Sequence, residues 1–227
     1  MIPLKDENKS ETTPYVTIIL IFLNCVVFIW EAISPLDESQ IAQFYGAIPV
    51  NLTSFASVRE VYQPISPFAS IVTSMFLHGN ILHLGGNMLY LWIFGDNIED
   101  ALGHVRFAIF YLFSGFVAAY IFAFSGPDSV LPMIGASGAI SGVLGAYIVL
   151  FPAARVMTLV FFGLIWISRI PAVIVIGLWA VLQFLNGFGS EPGVQHGGVA
   201  WFAHVGGFLA GLLTIKIWIP GKRYKSF

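Results

Sequence analysis

Residues 131–151 read LPMIGASGAISGVLGAYIVLF, an apolar run of helix length that contains the tetrapeptide Gly-Ala-Ser-Gly at 135–138. A hydroxyl between two glycines in such a run is informative, because polar side chains in hydrocarbon are costly and usually functional. Two other apolar runs also carry polar groups, His83 and Asn87 in one and His204 in the other. We therefore expect these side chains to meet in one site around a serine nucleophile.

The composition predicts an integral membrane protein. Of the 227 residues, 57% are hydrophobic and only 10% are charged, whereas soluble domains carry about 25% charged residues. The apolar runs are long enough for helices and do not alternate over about ten residues, which favours a helical bundle over a β-barrel. We therefore predict an all-α polytopic fold. The net charge of −2 and the lack of a basic stripe give no support for nucleic-acid binding.

Six apolar runs approach the roughly 20 residues that a spanning helix needs. They predict a six-transmembrane-helix bundle over residues 15–219, between an N-terminal segment, 1–14, and a basic tail, 220–227. The expected spans are 15–33, 80–98, 105–124, 133–151, 170–187 and 199–219.

Three connecting segments complete this reading. The long connection 36–70 contains prolines and several aromatic residues, and is expected to lie in the membrane interface. Residues 99–104 are expected to form a short turn. The apolar segment 156–168 is too short to cross, and is expected to lie in or dip into the interface.

The basic residues predict an orientation for six spans. With the N-terminus in the cytoplasm, nine of the ten lysines and arginines fall on that side, and only Arg59 falls outside. Such asymmetry is typical of cytoplasmic loops. Both termini are then cytoplasmic, and His83, Ser137 and His204 reach a similar depth toward the extracytoplasmic side. The nine are Lys5, Lys9, Arg106, Arg155, Arg169, Lys216, Lys222, Arg223 and Lys225.

Ser137 is the candidate nucleophile. A neutral hydroxyl needs a base, and a position in the first turns of a helix favours a developing anion. The flanking Gly135 and Gly138 allow close approach of other groups. The competing interpretation is helix packing, because Ser137 and Ser141, like Gly138 and Gly142, form small-xxx-small patterns.

His204 is the candidate base, since histidine exchanges protons near neutral pH. It shares one helix face with Gly207 and Gly211, and this smooth face is expected to dock against the glycines and serines of the fourth span. A structural hydrogen bond is the alternative role for a single histidine.

His83 and Asn87 are four residues apart, so they share a helix face and are expected to stabilise an oxyanion. An interhelical hydrogen-bonded pair is the alternative. His78 precedes them, and is expected to serve the same pocket or to lie at the interface. A metal shared by the histidines is a weaker alternative, because the spacing of His78 and His83 places their rings on different helix faces. No carboxylate lies at this depth, which predicts a Ser-His dyad without an acid.

Three motifs in order resemble the rhomboid family of intramembrane serine proteases: His78-x4-His83-x3-Asn87, Gly135-Ala136-Ser137-Gly138 and Ala203-His204-x2-Gly207-x3-Gly211. The resemblance implies a Ser137 nucleophile, a His204 base, and an oxyanion hole made by the Ser137 N–H, His83 and Asn87. It further implies transmembrane protein substrates, a lipid environment, and hydrolysis with water and no cofactor or metal. Many members carry an aromatic residue where this chain has Ser141.

The same resemblance implies that substrates enter sideways from the lipid, with the fifth span and the loop 188–198 as the gate. Two other classes remain to be weighed. An inactive rhomboid-like protein would bind transmembrane helices without cutting them, but both members of the dyad are present. A transporter or channel would carry polar residues along the whole bundle, whereas here they cluster at one depth.

Overall fold

The helices and strands follow from a computed structural model, which describes residues 1–54, 61–189 and 199–219. Outside these residues lie four basic residues used in the orientation, Arg59, Lys222, Arg223 and Lys225, together with residues 190–198 of the predicted gate loop and the tail 220–227. The described helices are α1 Tyr15–Ile33, α2 Glu38–Tyr45, α3 Pro49–Thr53, α4 Pro67–Ser74, α5 Ile81–Leu102, α6 His104–Ser125, α7 Ser137–Leu150, α8 Ala172–Phe188 and α9 Trp201–Trp218. The described strands are β1 Ile2–Asp6, β2 Arg155–Phe162 and β3 Leu164–Pro171.

Three of the described helices, α1, α6 and α9, are long and apolar enough to cross a membrane. α7 and α8 are apolar but shorter. The 22-residue α5 is long enough, but it carries polar residues from His83 to Asp100. The protein is therefore a mostly helical membrane protein, and the count of six spans remains a prediction.

Two predicted boundaries were wrong. α5 continues to Leu102, so residues 99–104 are not a turn, and only Gly103 separates α5 from α6. Gly103 has a φ of +79°, which glycine adopts without steric cost and which allows the abrupt change of direction. The fourth apolar run, predicted to start at residue 133, becomes helical only at Ser137.

α7 is the central helix of the bundle, and it packs mainly against α9, α6 and α5. Most of its residues are buried. Glycines on both helices allow α7 and α9 to approach very closely. A Cβ on Gly207 of α9 would clash with the carbonyl oxygen of Gly138 on α7, and one on Gly211 would clash with that of Gly142. This is the small-residue packing that apolar helices use where no hydrophobic force drives them together.

The all-α prediction was wrong in one part of the chain. β2 and β3 form an antiparallel hairpin, and β1 pairs antiparallel with β2 to complete a three-stranded sheet. Gly163, with a φ of +71°, lies between β2 and β3 at the hairpin turn. The segment 156–168 is rich in β-branched and aromatic residues, which suit strands, but an apolar run alone does not distinguish a strand from a buried helix.

Glu99 at the far end of α5 holds the start of α1. Its carboxylate accepts hydrogen bonds from the backbone N–H groups of Val16 and Thr17 at 2.9 and 2.8 Å, and from the Thr17 hydroxyl at 2.8 Å. A carboxylate there satisfies donors that the helix leaves unpaired and complements its dipole.

Candidate active site

Ser137 is the first residue of α7, so backbone N–H groups beside it have no acceptor within the helix. The preceding Gly135 has a φ of +119°, and its N–H donates to the Ser74 carbonyl at 2.8 Å. A Cβ on Gly135 would lie 2.8 Å from two ring atoms of His83. Glycine is therefore required both by the backbone conformation and by the approach of the imidazole.

The structure brings Ser137 and His204 together. The Ser137 Oγ lies 2.7 Å from Nε2 of His204, although the two residues are 67 positions apart. The other ring nitrogen, Nδ1, lies 2.7 Å from Oε1 of Gln183 on α8. A proton on Nδ1 that is donated to Gln183 leaves Nε2 free to accept the serine proton, which is the arrangement a general base needs.

The sequence analysis did not assign a role to Gln183. Among the described residues no carboxylate takes the place of this amide. Asp96 accepts a hydrogen bond from Ser10, Glu99 from Thr17 and Asp100 from Thr12, and all three donors lie near the N-terminus. Gln183 is the buried amide of α8, whose other amide, Asn186, is exposed. A polar residue in this apolar run was the available signal, since such groups in membrane helices usually have a partner or a role.

Aromatic rings flank His204 although position 141 is a serine. The imidazole has Trp179 and Trp201 beside it, with ring centroids 5.9 and 6.2 Å away. Ser141 is buried, and its hydroxyl donates to the Ser137 carbonyl oxygen at 2.6 Å. Two tryptophans from α8 and α9 therefore provide the aromatic environment, and Ser141 tightens the first turn of α7.

Asn87 is buried on α5, and its amide nitrogen has no hydrogen-bond partner among the described residues. Leaving a buried donor unpaired is costly, so such a group is suited to an acceptor that arrives with substrate. His83 lies one turn earlier on the helix and reaches Gly135.

His78 lies outside α5, which begins at Ile81, so the prediction that the His78 and His83 rings would lie on different helix faces was wrong. Their ring centroids are 5.0 Å apart. Burial, with a smaller contribution from His83, lowers the pKa of His78 to about 4, so this imidazole is neutral at physiological pH. Its Nδ1 lies 3.2 Å from the Phe76 carbonyl oxygen, and its backbone N–H donates to the Glu31 carboxylate. The prediction that no carboxylate lies at the depth of these histidines was therefore wrong, although the hydrogen bonds of the described residues connect Glu31 to His78 and not to the candidate base.

The part of the chain that the structure describes contains no group of three or more histidine, cysteine, aspartate or glutamate side chains that could hold a metal. The paired His78 and His83 therefore lack a third such ligand among these residues.

A nearly apolar cavity of about 200 Å³ lies between α8 and α9. His204 and Gln183 form part of its wall, together with Trp179, Phe184 and Phe208.

A profile of the Rhomboid domain matches residues 66–221, a range that includes all three motifs. The chain belongs to the rhomboid family. It is 35% identical over 150 residues to the yeast (Saccharomyces cerevisiae) Rhomboid protein 1, mitochondrial, covering 63% of this chain and 40% of the yeast protein. It is 33% identical over 148 residues to the Rhomboid protease GluP of Bacillus subtilis, covering 63% of this chain and 25% of that protein.

The plant relative RHOMBOID-like protein 4 of Arabidopsis thaliana is 31% identical over 144 residues, which cover 63% of this chain and 32% of the plant protein. The aligned segment thus represents at most two fifths of the length of these three relatives. The rhomboid family includes proteases such as GluP as well as proteins described only as rhomboid-like. Membership therefore establishes the fold family and leaves the activity of this chain to its own residues.

Proposed function

We propose that this chain is an intramembrane serine protease that hydrolyses peptide bonds in or next to transmembrane segments of membrane proteins. The observation that carries the proposal is the 2.7 Å contact between Ser137 Oγ and His204 Nε2 at the first turn of α7. The unpaired amide nitrogen of Asn87 adds a donor for the negative charge that such a reaction develops.

In this mechanism the Ser137 oxygen attacks the carbonyl carbon of the scissile bond while its proton passes to His204 Nε2. The Ser137 N–H, Asn87 and His83 stabilise the resulting oxyanion. His204 then gives the proton to the leaving amine, and the acyl-enzyme forms. A water molecule, deprotonated by His204, hydrolyses the ester and regenerates the serine.

We further propose six membrane spans in the cell membrane, with both termini in the cytoplasm and the dyad toward the extracytoplasmic side. The basic-residue asymmetry supports this orientation. The β2–β3 hairpin would then lie at the cytoplasmic interface. Its tip supports this, because Leu164 and Ile165 are apolar and largely exposed, at 77% and 69%.

Single-cysteine labelling tests the orientation. In a Cys25→Ser background, which has no other cysteine, Ser226→Cys should resist a membrane-impermeant thiol reagent in intact cells. Ser39→Cys, exposed on α2 and expected outside, should react. Labelling at position 226 in sealed cells would contradict six spans with this orientation.

The activity is tested with purified protein and a fluorophosphonate probe, followed by cleavage of a single-span substrate in vesicles. We expect the probe to modify Ser137, and expect Ser137→Ala, His204→Ala and the double variant to be equally inactive, because catalytic partners act non-additively. A folded wild-type protein that binds helices, yet neither reacts with the probe nor cleaves, would establish the inactive rhomboid-like alternative. Cleavage by Ser137→Ala at the wild-type rate would refute the nucleophile.

A further inference from the structure

Gln183 lies where it can control the catalytic histidine. Its Oε1 is 2.7 Å from Nδ1 of His204, on the opposite side of the ring from Ser137. Its own Nε2 donates to the Trp179 carbonyl oxygen at 3.3 Å. This second bond fixes the amide so that the oxygen, an acceptor only, faces the imidazole.

An acceptor at Nδ1 selects one tautomer of neutral His204. The ring proton is held on Nδ1, and the lone pair on Nε2 points at the Ser137 hydroxyl. With the opposite tautomer, Nε2 would donate to the serine oxygen and could not take its proton. The amide therefore acts as a neutral counterpart to the third residue of a triad.

α8, which carries Gln183, is the least firmly packed helix around the site. It packs mainly on α9 and more lightly on α7, and contacts α5 at most marginally. Most of its large apolar side chains are exposed. A cavity of about 200 Å³ also borders Gln183 between α8 and α9.

We infer that Gln183 is a positioning residue that makes the activity of the dyad depend on the position of α8. The inference rests on the proposed protease function and deepens it. When α8 moves outward to admit a substrate helix, the Gln183 acceptor leaves His204 and the tautomer is no longer fixed. When α8 returns over the bound substrate, the acceptor is restored and Ser137 is activated. Hydrolysis is thereby confined to substrates over which α8 has closed.

Three substitutions separate this role from packing. Gln183→Leu keeps the size but removes the acceptor, and Gln183→Glu retains an acceptor oxygen. Asn186→Ala is the matched control, because it removes an exposed amide on the same helix whose side-chain nitrogen donates to the Leu182 carbonyl oxygen. We expect Gln183→Leu to lower kcat about 10- to 100-fold and to change KM by less than about 2-fold. The loss of kcat is the size expected when a buried donor, here the Nδ1–H of His204, is left without its acceptor. Gln183→Glu should recover most of kcat, and Asn186→Ala should match wild type.

A direct readout is ¹⁵N NMR of histidine-labelled protein in detergent, which distinguishes the two neutral tautomers without requiring turnover. We expect His204 to carry its proton on Nδ1 in wild type, and to shift toward the Nε2 form in Gln183→Leu. An active wild type with unchanged kcat and tautomer in Gln183→Leu would overturn the inference alone. A wild type that does not react at Ser137 would overturn the proposed function. A higher KM with unchanged kcat in Gln183→Leu would overturn the inference and make Gln183 a substrate contact.

Discussion

Asn87 presents an amide nitrogen that is buried and unpaired among the described residues. We predict that Asn87→Ala lowers kcat about 10- to 1000-fold, as for loss of one oxyanion donor. Because the nitrogen has no bond to lose, the melting temperature should change little. Rates of substrate cleavage and a thermal scan measure the two quantities. A change in KM with kcat intact would instead assign Asn87 to binding or packing.

Gly207 decides the distance between α7 and α9, because any side chain there would meet the Gly138 carbonyl and Ser141. We predict that Gly207→Val abolishes activity and destabilises the fold by about 3 kcal/mol or more, since backbone cannot move aside as a side chain can. Ser141→Ala should cost only about 0.5–1.5 kcal/mol, the net value of one hydrogen bond.

Gly177 provides the control for this comparison, because a Cβ there would meet nothing within 4 Å. Gly177→Ala on α8 should be neutral or slightly stabilising. Unfolding free energies and turnover of the three variants measure the effect. If Ser141→Ala were more damaging than Gly207→Val, the orientation of His204 would depend on the serine and not on the glycine contact.

At the scale of the element, α8 is the expected gate. It is held by α9 on one side and barely contacts α5 on the other. We predict that a disulfide engineered between the outer ends of α5 and α8, in a Cys25→Ser background, stops cleavage of a membrane substrate and that reduction restores it. A small fluorophosphonate should still modify Ser137 in the locked protein, which shows that the dyad is intact. Undiminished cleavage by the oxidised form would rule out passage between these helices.

Part of this gate remains a sequence prediction. Gly187 and Gly189 lie at the end of α8 and directly after it, whereas the loop residues 190–198 lie outside the described chain. The structural support for this gate is therefore the light packing of α8 itself.

At the scale of the whole molecule, the N-terminal strand is tied to the far end of the bundle. Asp6 of β1 is buried and accepts hydrogen bonds from the Tyr147 hydroxyl at 2.7 Å and from the Asn97 amide at 3.0 Å. Burial, reinforced by the nearby Asp96, raises the pKa of Asp6 to about 6, while the hydrogen bonds act in the opposite direction.

This shift makes the docking of β1 depend on pH. Between about pH 4 and 6 the docked Asp6 retains a proton that a free strand has lost, so docking weakens as pH rises through this window. We predict that limited proteolysis cuts residues 1–14 faster at pH 8 than at pH 5, and that Asp6→Asn removes most of this difference. Equal rates for wild type at both values, with a protease equally active at each, would contradict the prediction.

The sequence alone determined the family and the helical framework, and it predicted the candidate site. Ser137, His204, His83 and Asn87 were identified as candidates because polar groups are rare in apolar runs, and the start and end of α1 were predicted correctly because prolines bracket it. The family followed from the three motifs. Local composition carries this information because each spanning helix must satisfy its own backbone, so its length and apolarity appear directly in the chain.

Only the tertiary structure decided how distant residues meet. Gln183 binds His204 because α8 packs against α9, and no local pattern encodes that partner. The sheet forms because residues 2–6 pair with a hairpin about 150 positions later, and strand pairing over such separations leaves no periodic signal in either segment. The His78 ring lies edge-to-face against that of His83 because His78 precedes the start of α5, so helical spacing does not apply to it. Contacts between elements depend on packing in three dimensions, and the sequence of each element restricts them without specifying them.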